Sequence, residues 1–141
     1  MRHEESRTQS ACVRWFRLQY PEYAYMLIAV PNGARTSESQ ARILKAEGMV
    51  AGAADLLLLV PRHDFGCLCL ETKTDKGRQS DSQKMWQMQA EKAGNLYAVY
   101  RNFDQFRAIV SDYLGENNLS DTERARMELR KVYAKVCREE L

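Results

Sequence analysis

The sequence predicts an α/β domain in which a mixed β-sheet is flanked by helices. Short apolar runs bounded by turn-forming residues, typical of buried strands, alternate along the chain with amphipathic stretches of helical period. Capping boxes, in which a serine is followed three residues later by Gln or Glu, predict helix starts at Ser37, Ser80 and Ser120. Because strands and helices alternate, we expect them to form layers around one core.

The first half of the chain supplies a helix and the strands around the central hairpin. A helix over residues 6–20 ends before Pro21, and a first strand over 25–30 leads into the turn sequence Pro31-Asn32-Gly33. A helix that starts at Ser37 ends at Gly48. Two apolar runs then predict an antiparallel pair of strands, over 55–60 and 67–73.

The second half continues the alternation. A helix runs from Ser80 to Gly94, a strand covers 96–100 and a helix covers 103–114. The last 26 residues, 116–141, predict an amphipathic helix whose apolar stripe is Ala125, Leu129, Val132, Tyr133 and Val136. We therefore expect one core domain, 1–115, and a helical extension, 116–141, that packs either on this core or on a partner subunit.

Charge and cysteine content limit the possible functions. The 141 residues carry 21 Lys and Arg against 19 Asp and Glu, so the chain lacks the strongly basic composition of a protein that coats DNA. Any nucleic-acid site must therefore come from local clusters. The four cysteines have no CxxC spacing and are expected to be free thiols. Because neither a signal peptide nor an apolar membrane span is predicted, we expect a cytoplasmic protein.

Two carboxylates and a lysine are predicted to meet at one end of the hairpin. Asp55 precedes the first strand, and Glu71-Thr72-Lys73 closes the second. Because side chains alternate along a strand, Glu71 and Lys73 share one face. Two carboxylates, with the backbone carbonyl of Thr72, are suitable ligands for Mg²⁺ or Mn²⁺, and a lysine beside them suits phosphodiester hydrolysis. The alternative from these residues alone is a solvated strand end with a weak ion pair.

Further candidates surround this proposed site. Gln83 lies in the first turn of the following helix, where it either caps the helix or contacts Lys73, or does both. Basic residues suited to DNA phosphates follow the site in sequence, namely Lys76, Arg78 and Lys84. The alternative for this cluster is a solvated surface without a ligand.

An ordered series of motifs resembles the virus-type replication-repair nucleases, or VRR-NUC domains, of the PD-(D/E)xK superfamily. The resemblance runs from about Gln9 to Leu114. It is carried by segments 31–35, 44–48, 52–56, 70–73, 76–78, 80–86 and 97–100, together with the turn at Gly94.

The resemblance implies a restriction-endonuclease-like core and a divalent-metal-dependent DNA endonuclease. It implies catalytic roles for Asp55, Glu71, Lys73 and Gln83, and DNA contacts by Asn32 and Arg35. It also implies a homodimer that cuts branched DNA, similar to a Holliday-junction resolvase, in replication, recombination or repair in a bacterial or phage-infected cell.

Two positions depart from the family pattern. Ala54 stands where a proline usually precedes the aspartate, and Thr8 stands where the first helix usually carries a glutamate. Glu5 or Glu4, about one turn earlier, is the candidate replacement ligand. A missing carboxylate leaves a second interpretation open, in which the chain is a catalytically weak or inactive nucleic-acid-binding or assembly module on the same fold.

Overall fold

One mixed sheet of four strands organises the protein. The computed structural model describes residues 2–31 and 37–115, and in these ranges the strand order is β1-β2-β3-β4. β1 is antiparallel to β2 and β2 to β3, whereas β3 and β4 are parallel. The strands are β1 (Leu27–Ala29), β2 (Leu56–Leu58), β3 (Leu68–Thr72) and β4 (Leu96–Tyr100). The predicted α/β class with a mixed sheet is confirmed.

Helices begin where the sequence supplies caps. The Ser80 and Gln83 side chains form a reciprocal capping box, Ser37 accepts from the Gln40 backbone N–H, and Asn102 accepts from Gln105. A single 3₁₀ turn, Pro21–Tyr23, follows the first helix. The helices are α1 (Arg2–Gln19), α2 (Glu38–Ala46), α3 (Asp81–Lys92) and α4 (Phe103–Leu114).

The central strand β3 is buried along its whole length because helices cover both of its faces. On one face Leu70 packs in a cluster with Phe16 of α1 and Phe106 of α4. On the other face Cys69 packs with Ala90 of α3. Side chains that alternate along β3 therefore enter two separate apolar layers, and polar residues at its end lie between α1 and α3.

Some element boundaries differ from those predicted. β1 is shorter than 25–30 because the chain is still turning there: the Met26 backbone N–H donates to the Tyr23 carbonyl, 2.9 Å away. α1 begins at Arg2 rather than near residue 6. Its first turn is polar, so the apolar periodicity used to predict the helix is missing there. The turn at Asn32-Gly33 and the extension 116–141 lie outside the described residues.

The predicted free thiols are confirmed for the described cysteines. Cys12, Cys67 and Cys69 are free, whereas Cys137 lies outside the described ranges. Within residues 2–31 and 37–115 no helix is long and apolar enough to cross a membrane.

The loop before β2 is pressed against the start of α3. Gly52 has φ +85°, and a Cβ there would overlap the Ser82 carbonyl group and lie 2.8 Å from the Gln83 nitrogen. Only glycine permits this approach, since a side chain would meet backbone atoms that cannot move independently. The contact fixes the distance between the loop that leads to Asp55 and the helix that carries Gln83.

Gly52→Ala should therefore destabilise the protein more than Gly48→Ala. Gly48 also has a positive φ, +111°, but open space surrounds its Cβ position. We expect Gly48→Ala to lower the free energy of unfolding by about 1–2 kcal/mol through backbone strain, and Gly52→Ala by roughly 1–3 kcal/mol more through overpacking. Urea denaturation of both variants measures the difference, and equal losses would contradict the close contact.

Candidate active site

The hairpin register places Asp55 opposite Glu71. Leu56 pairs with Leu70, so one residue further out the two carboxylates face each other at the end of the ladder. The Thr72 backbone N–H donates to Asp55 Oδ2 at 2.8 Å, which ties the Asp55 side chain to the end of β3. One carboxylate is therefore held by the backbone of the strand that carries the other.

Glu71 is buried at the end of β3, with 1% of its surface exposed. Burial raises its pKa from 4.5 to about 8, and the adjacent charge of Asp55 adds to the increase. The Lys73 ammonium, 3.9 Å from Glu71 Oε1, opposes it. A buried carboxylate beside a second carboxylate resists ionisation unless a positive charge joins them, which is how a metal-binding pair behaves without its metal.

The Gln83 amide joins Glu71 to Lys73. Its Nε2 donates to Glu71 Oε1 at 2.9 Å, and its Oε1 accepts from Lys73 Nζ at 2.8 Å. The same Oε1 accepts from the Ser80 backbone N–H at 2.9 Å as part of the capping box. The two roles considered for Gln83 therefore coexist, and the cap fixes the amide in the orientation that serves both neighbours.

Thr72 connects the strand end to α1. Its hydroxyl bonds to the Tyr100 hydroxyl and lies 3.5 Å from Gln9 Oε1. Its side chain thus faces α1 and α4, whereas Glu71 faces α3, as the alternation along β3 requires. The Thr72 backbone carbonyl, predicted as a third oxygen ligand, lies between the Glu71 and Lys73 side chains in sequence.

The chemistry of the donors suits a hard divalent cation. Asp55 and Glu71 supply two carboxylates, and the pKa of Glu71 is raised first by burial and then by the charge of Asp55, both of which a cation would offset. No group of three or more His, Cys, Asp or Glu able to hold a metal occurs in residues 2–31 and 37–115. Glu5 and Glu4 are thus not gathered with the pair, and a cation held here would take its remaining ligands from water, as Mg²⁺ commonly does.

The predicted DNA-contacting residues divide into two sets. Lys76, Arg78 and Lys84 are exposed on the loop that follows Lys73 and on the first turn of α3, beside the carboxylates. Asn32 and Arg35 lie outside the described residues. The exposed set leaves three cationic side chains free to meet a polyanion that reaches the site.

Two supporting residues were not anticipated from the sequence. Arg101 Nη1 donates to the backbone carbonyls of Thr74 and Gly77, the latter at 2.8 Å, and so anchors the loop that follows Lys73. The Tyr97 hydroxyl lies 3.5 Å from Glu71 Oε2 and accepts from Gln79 at 3.1 Å. Both residues sit on or just after β4, whose sequence looked purely structural, and only its parallel pairing with β3 brings them to the site.

The fold as a whole is similar to that of a solved structure titled "VRR_NUC domain protein". The TM-score is 0.68, the likeness covers 78% of this chain and 87% of that chain, and 20% of the residues are identical. This chain has the VRR_NUC fold. The predicted restriction-endonuclease-like core is thereby confirmed. No protein-family model matches the sequence, and no curated protein matches it significantly.

Burial of Glu71 in this VRR_NUC fold predicts a pH-dependent stability. Because its pKa is higher in the folded state, ionisation costs stability as pH rises from about 4.5 through about 8. With EDTA present, Glu71→Gln should exceed wild type in free energy of unfolding by on the order of 2 kcal/mol near pH 9. The advantage should shrink towards pH 5, where Glu71 is protonated.

Urea denaturation across this pH range measures the effect. Glu91→Gln, an equal charge change on the exposed surface of α3, is the matched control and should show no such trend. A Glu71→Gln advantage that is the same at both ends of the range would contradict a raised pKa.

Proposed function

We propose that this protein is a Mg²⁺- or Mn²⁺-dependent endodeoxyribonuclease that hydrolyses phosphodiester bonds. The observation that carries the proposal is the meeting of Asp55, Glu71 and Lys73 at one strand end, with Gln83 bonded to two of them. An exposed ion pair does not account for this arrangement, because Glu71 is buried and Lys73 is nearly so. The VRR_NUC fold supports the nuclease class.

Asp55 and Glu71, with the Thr72 carbonyl, would hold the cation. When bound, the cation supplies a positive charge that stabilises the charge growing on the phosphate and promotes ionisation of the attacking water. Asp55 keeps its orientation through the Thr72 N–H, and Glu71 through Gln83. Both ligands are therefore fixed before a cation or a substrate arrives, which lowers the cost of assembling the site.

Lys73 would act on the reacting phosphate. Gln83 holds its ammonium 3.9 Å from Glu71 Oε1, so the group lies beside the carboxylates rather than extended into solvent. In that place it stabilises negative charge on the phosphate and orients the attacking water by hydrogen bonding. Lys73 thereby contributes to the chemical step more than to the affinity for DNA.

The proposed substrate is branched DNA, and the proposed active species is a homodimer in the cytoplasm of a bacterial or phage-infected cell. The resemblance in sequence motifs supports this extension. Lys76, Arg78 and Lys84 give the rim of the site a positive charge that would bind backbone phosphates without recognising bases. A two-fold dimer presents two such sites to the two strands of a symmetric junction.

A second candidate function is a nucleic-acid-binding or assembly module with little or no catalytic activity. The observation in its favour is the absence of a third carboxylate near Asp55 and Glu71 among the described residues. Metal binding separates the two functions, because the module has no need of a cation at this pair.

Lys73→Ala should abolish cutting and leave DNA binding intact. We expect the single-turnover cleavage rate with Mg²⁺ to fall roughly a hundredfold or more, and the Kd for a four-way junction to change by less than about threefold. Lys92→Ala removes the same charge from the last turn of α3 and should cut normally. If the wild type cuts no linear, flapped or four-way DNA with either metal, the endonuclease proposal is wrong.

Asp55→Asn should weaken cation binding. Isothermal titration of wild type with Mn²⁺ or Mg²⁺ should give a binding isotherm that Asp55→Asn weakens by about tenfold or more, because one of two carboxylates is lost. Asp112→Asn, an equal change on the exposed surface of α4, should bind like wild type. Cation binding that ignores Asp55 and Glu71 would favour the module.

A further inference from the structure

The outer face of α1 carries a stripe of basic residues with one serine in its middle. His3, Arg7, Ser10, Arg14 and Arg17 follow one another at intervals of four, three, four and three residues, so they line one side of the helix. All five are exposed. The opposite side of α1 supplies Cys12 and Phe16 to the core, so the stripe faces away from the sheet.

The stripe has no internal charge balance. In the described part of the chain no carboxylate forms an ion pair with Arg7, Arg14 or Arg17. Arg14 and Arg17 are three residues apart, a spacing at which like charges repel and weaken a helix by a few tenths of a kcal/mol. An anionic partner would relieve the repulsion between Arg14 and Arg17.

α1 also joins the stripe to the candidate active site. Gln9, next to Ser10, lies 3.5 Å from the Thr72 hydroxyl at the end of β3. From there an open groove of about 590 Å³ runs along the helix, lined by Gln9, Ser10, Val13, Arg14, Arg17 and Leu18. The groove thus begins at the α1 residue that lies near Thr72 and reaches the last two arginines of the stripe.

We propose that this stripe binds the phosphate backbone of a duplex DNA arm that leaves the cleavage site along α1. This inference rests on the proposed nuclease function and names a binding surface for its substrate. From Arg7 to Arg17 the helix rises about 15 Å, the length of roughly four base-pair steps. Guanidinium groups bind phosphates in a planar two-pronged geometry, and the contacts are independent of sequence. The duplex backbone complements the unpaired charge.

The double variant Arg14→Gln with Arg17→Gln tests the proposal. Its matched control is Lys92→Gln with Arg107→Gln, which removes two exposed charges from α3 and α4. Binding of a fluorescein-labelled duplex and of a four-way junction is measured by anisotropy in EDTA at several salt concentrations. Circular dichroism melting of each protein checks that it is folded.

We expect the stripe variant to bind about tenfold more weakly near 0.1 M salt. The slope of log K against log salt concentration should become shallower by about 2, one unit for each lost phosphate contact. The control should stay within about twofold of wild type. With Mg²⁺, the stripe variant should cleave slowly at low DNA concentration and at the wild-type rate at saturation, because the stripe binds substrate and does not touch the reacting atoms.

Failure of this inference and failure of the proposed function give different results. A stripe variant with the wild-type slope and affinity, from a wild type that cuts DNA, overturns the inference and leaves the nuclease intact. A wild type that cuts nothing overturns the nuclease, and a shallower slope in the variant still supports the binding surface. If light scattering shows that the variant loses a dimer while its DNA affinity is unchanged, the stripe is a subunit contact and the inference is overturned.

Discussion

The Glu71 carboxylate is buried at the end of a strand whose preceding residues are apolar, and the arrangement of the site depends on how this buried charge is stabilised. β3 is covered on both faces, so a charge at its end is largely removed from water. Asp55, brought opposite by the hairpin, makes ionisation harder still. Lys73, Gln83 and Tyr97 all lie close to Glu71 and supply the hydrogen bonds or charge that a buried carboxylate requires.

The support for this carboxylate depends on where α3 begins. Gln83 reaches Glu71 and Lys73 only because the capping box holds its side chain at the start of the helix. The helix in turn is positioned by Gly52, which lets the Asp55 loop touch the backbone at Ser82. The distance between the Asp55–Glu71 pair and α3 is thus set by backbone contacts, which are less flexible than side chains. On the other side of Lys73, Arg101 fixes the loop through three backbone carbonyl groups.

Patterns within short stretches of sequence predicted the elements and the pairing of Asp55 with Glu71. They did not predict contacts between elements that are far apart in sequence. β4 and α4 were predicted with their observed bounds, since a continuous apolar run ends at Tyr100 and apolar residues then recur at helical spacing from Phe103 until Gly115. The approach of Asp55 to Glu71 followed from a hairpin and side-chain alternation alone. Arg101 and Tyr97 gave no signal in sequence, because their proximity to the site requires the parallel pairing of β4 with β3. Gln9 was matched only as a motif position, and its approach to Thr72 depends on how α1 packs.

The number of carboxylates at the site has consequences for stability as well as for chemistry. Each further buried carboxylate would add repulsion to the metal-free fold, which already holds Glu71 with its pKa raised to about 8. On the proposed function, a site with two carboxylates would keep that cost low at the expense of affinity for the cation. Mg²⁺ tolerates such a site because it retains several waters and is commonly held by one or two carboxylates together with substrate phosphates. Cation and DNA would then bind cooperatively, because phosphate oxygens would take coordination positions that a third carboxylate would otherwise fill.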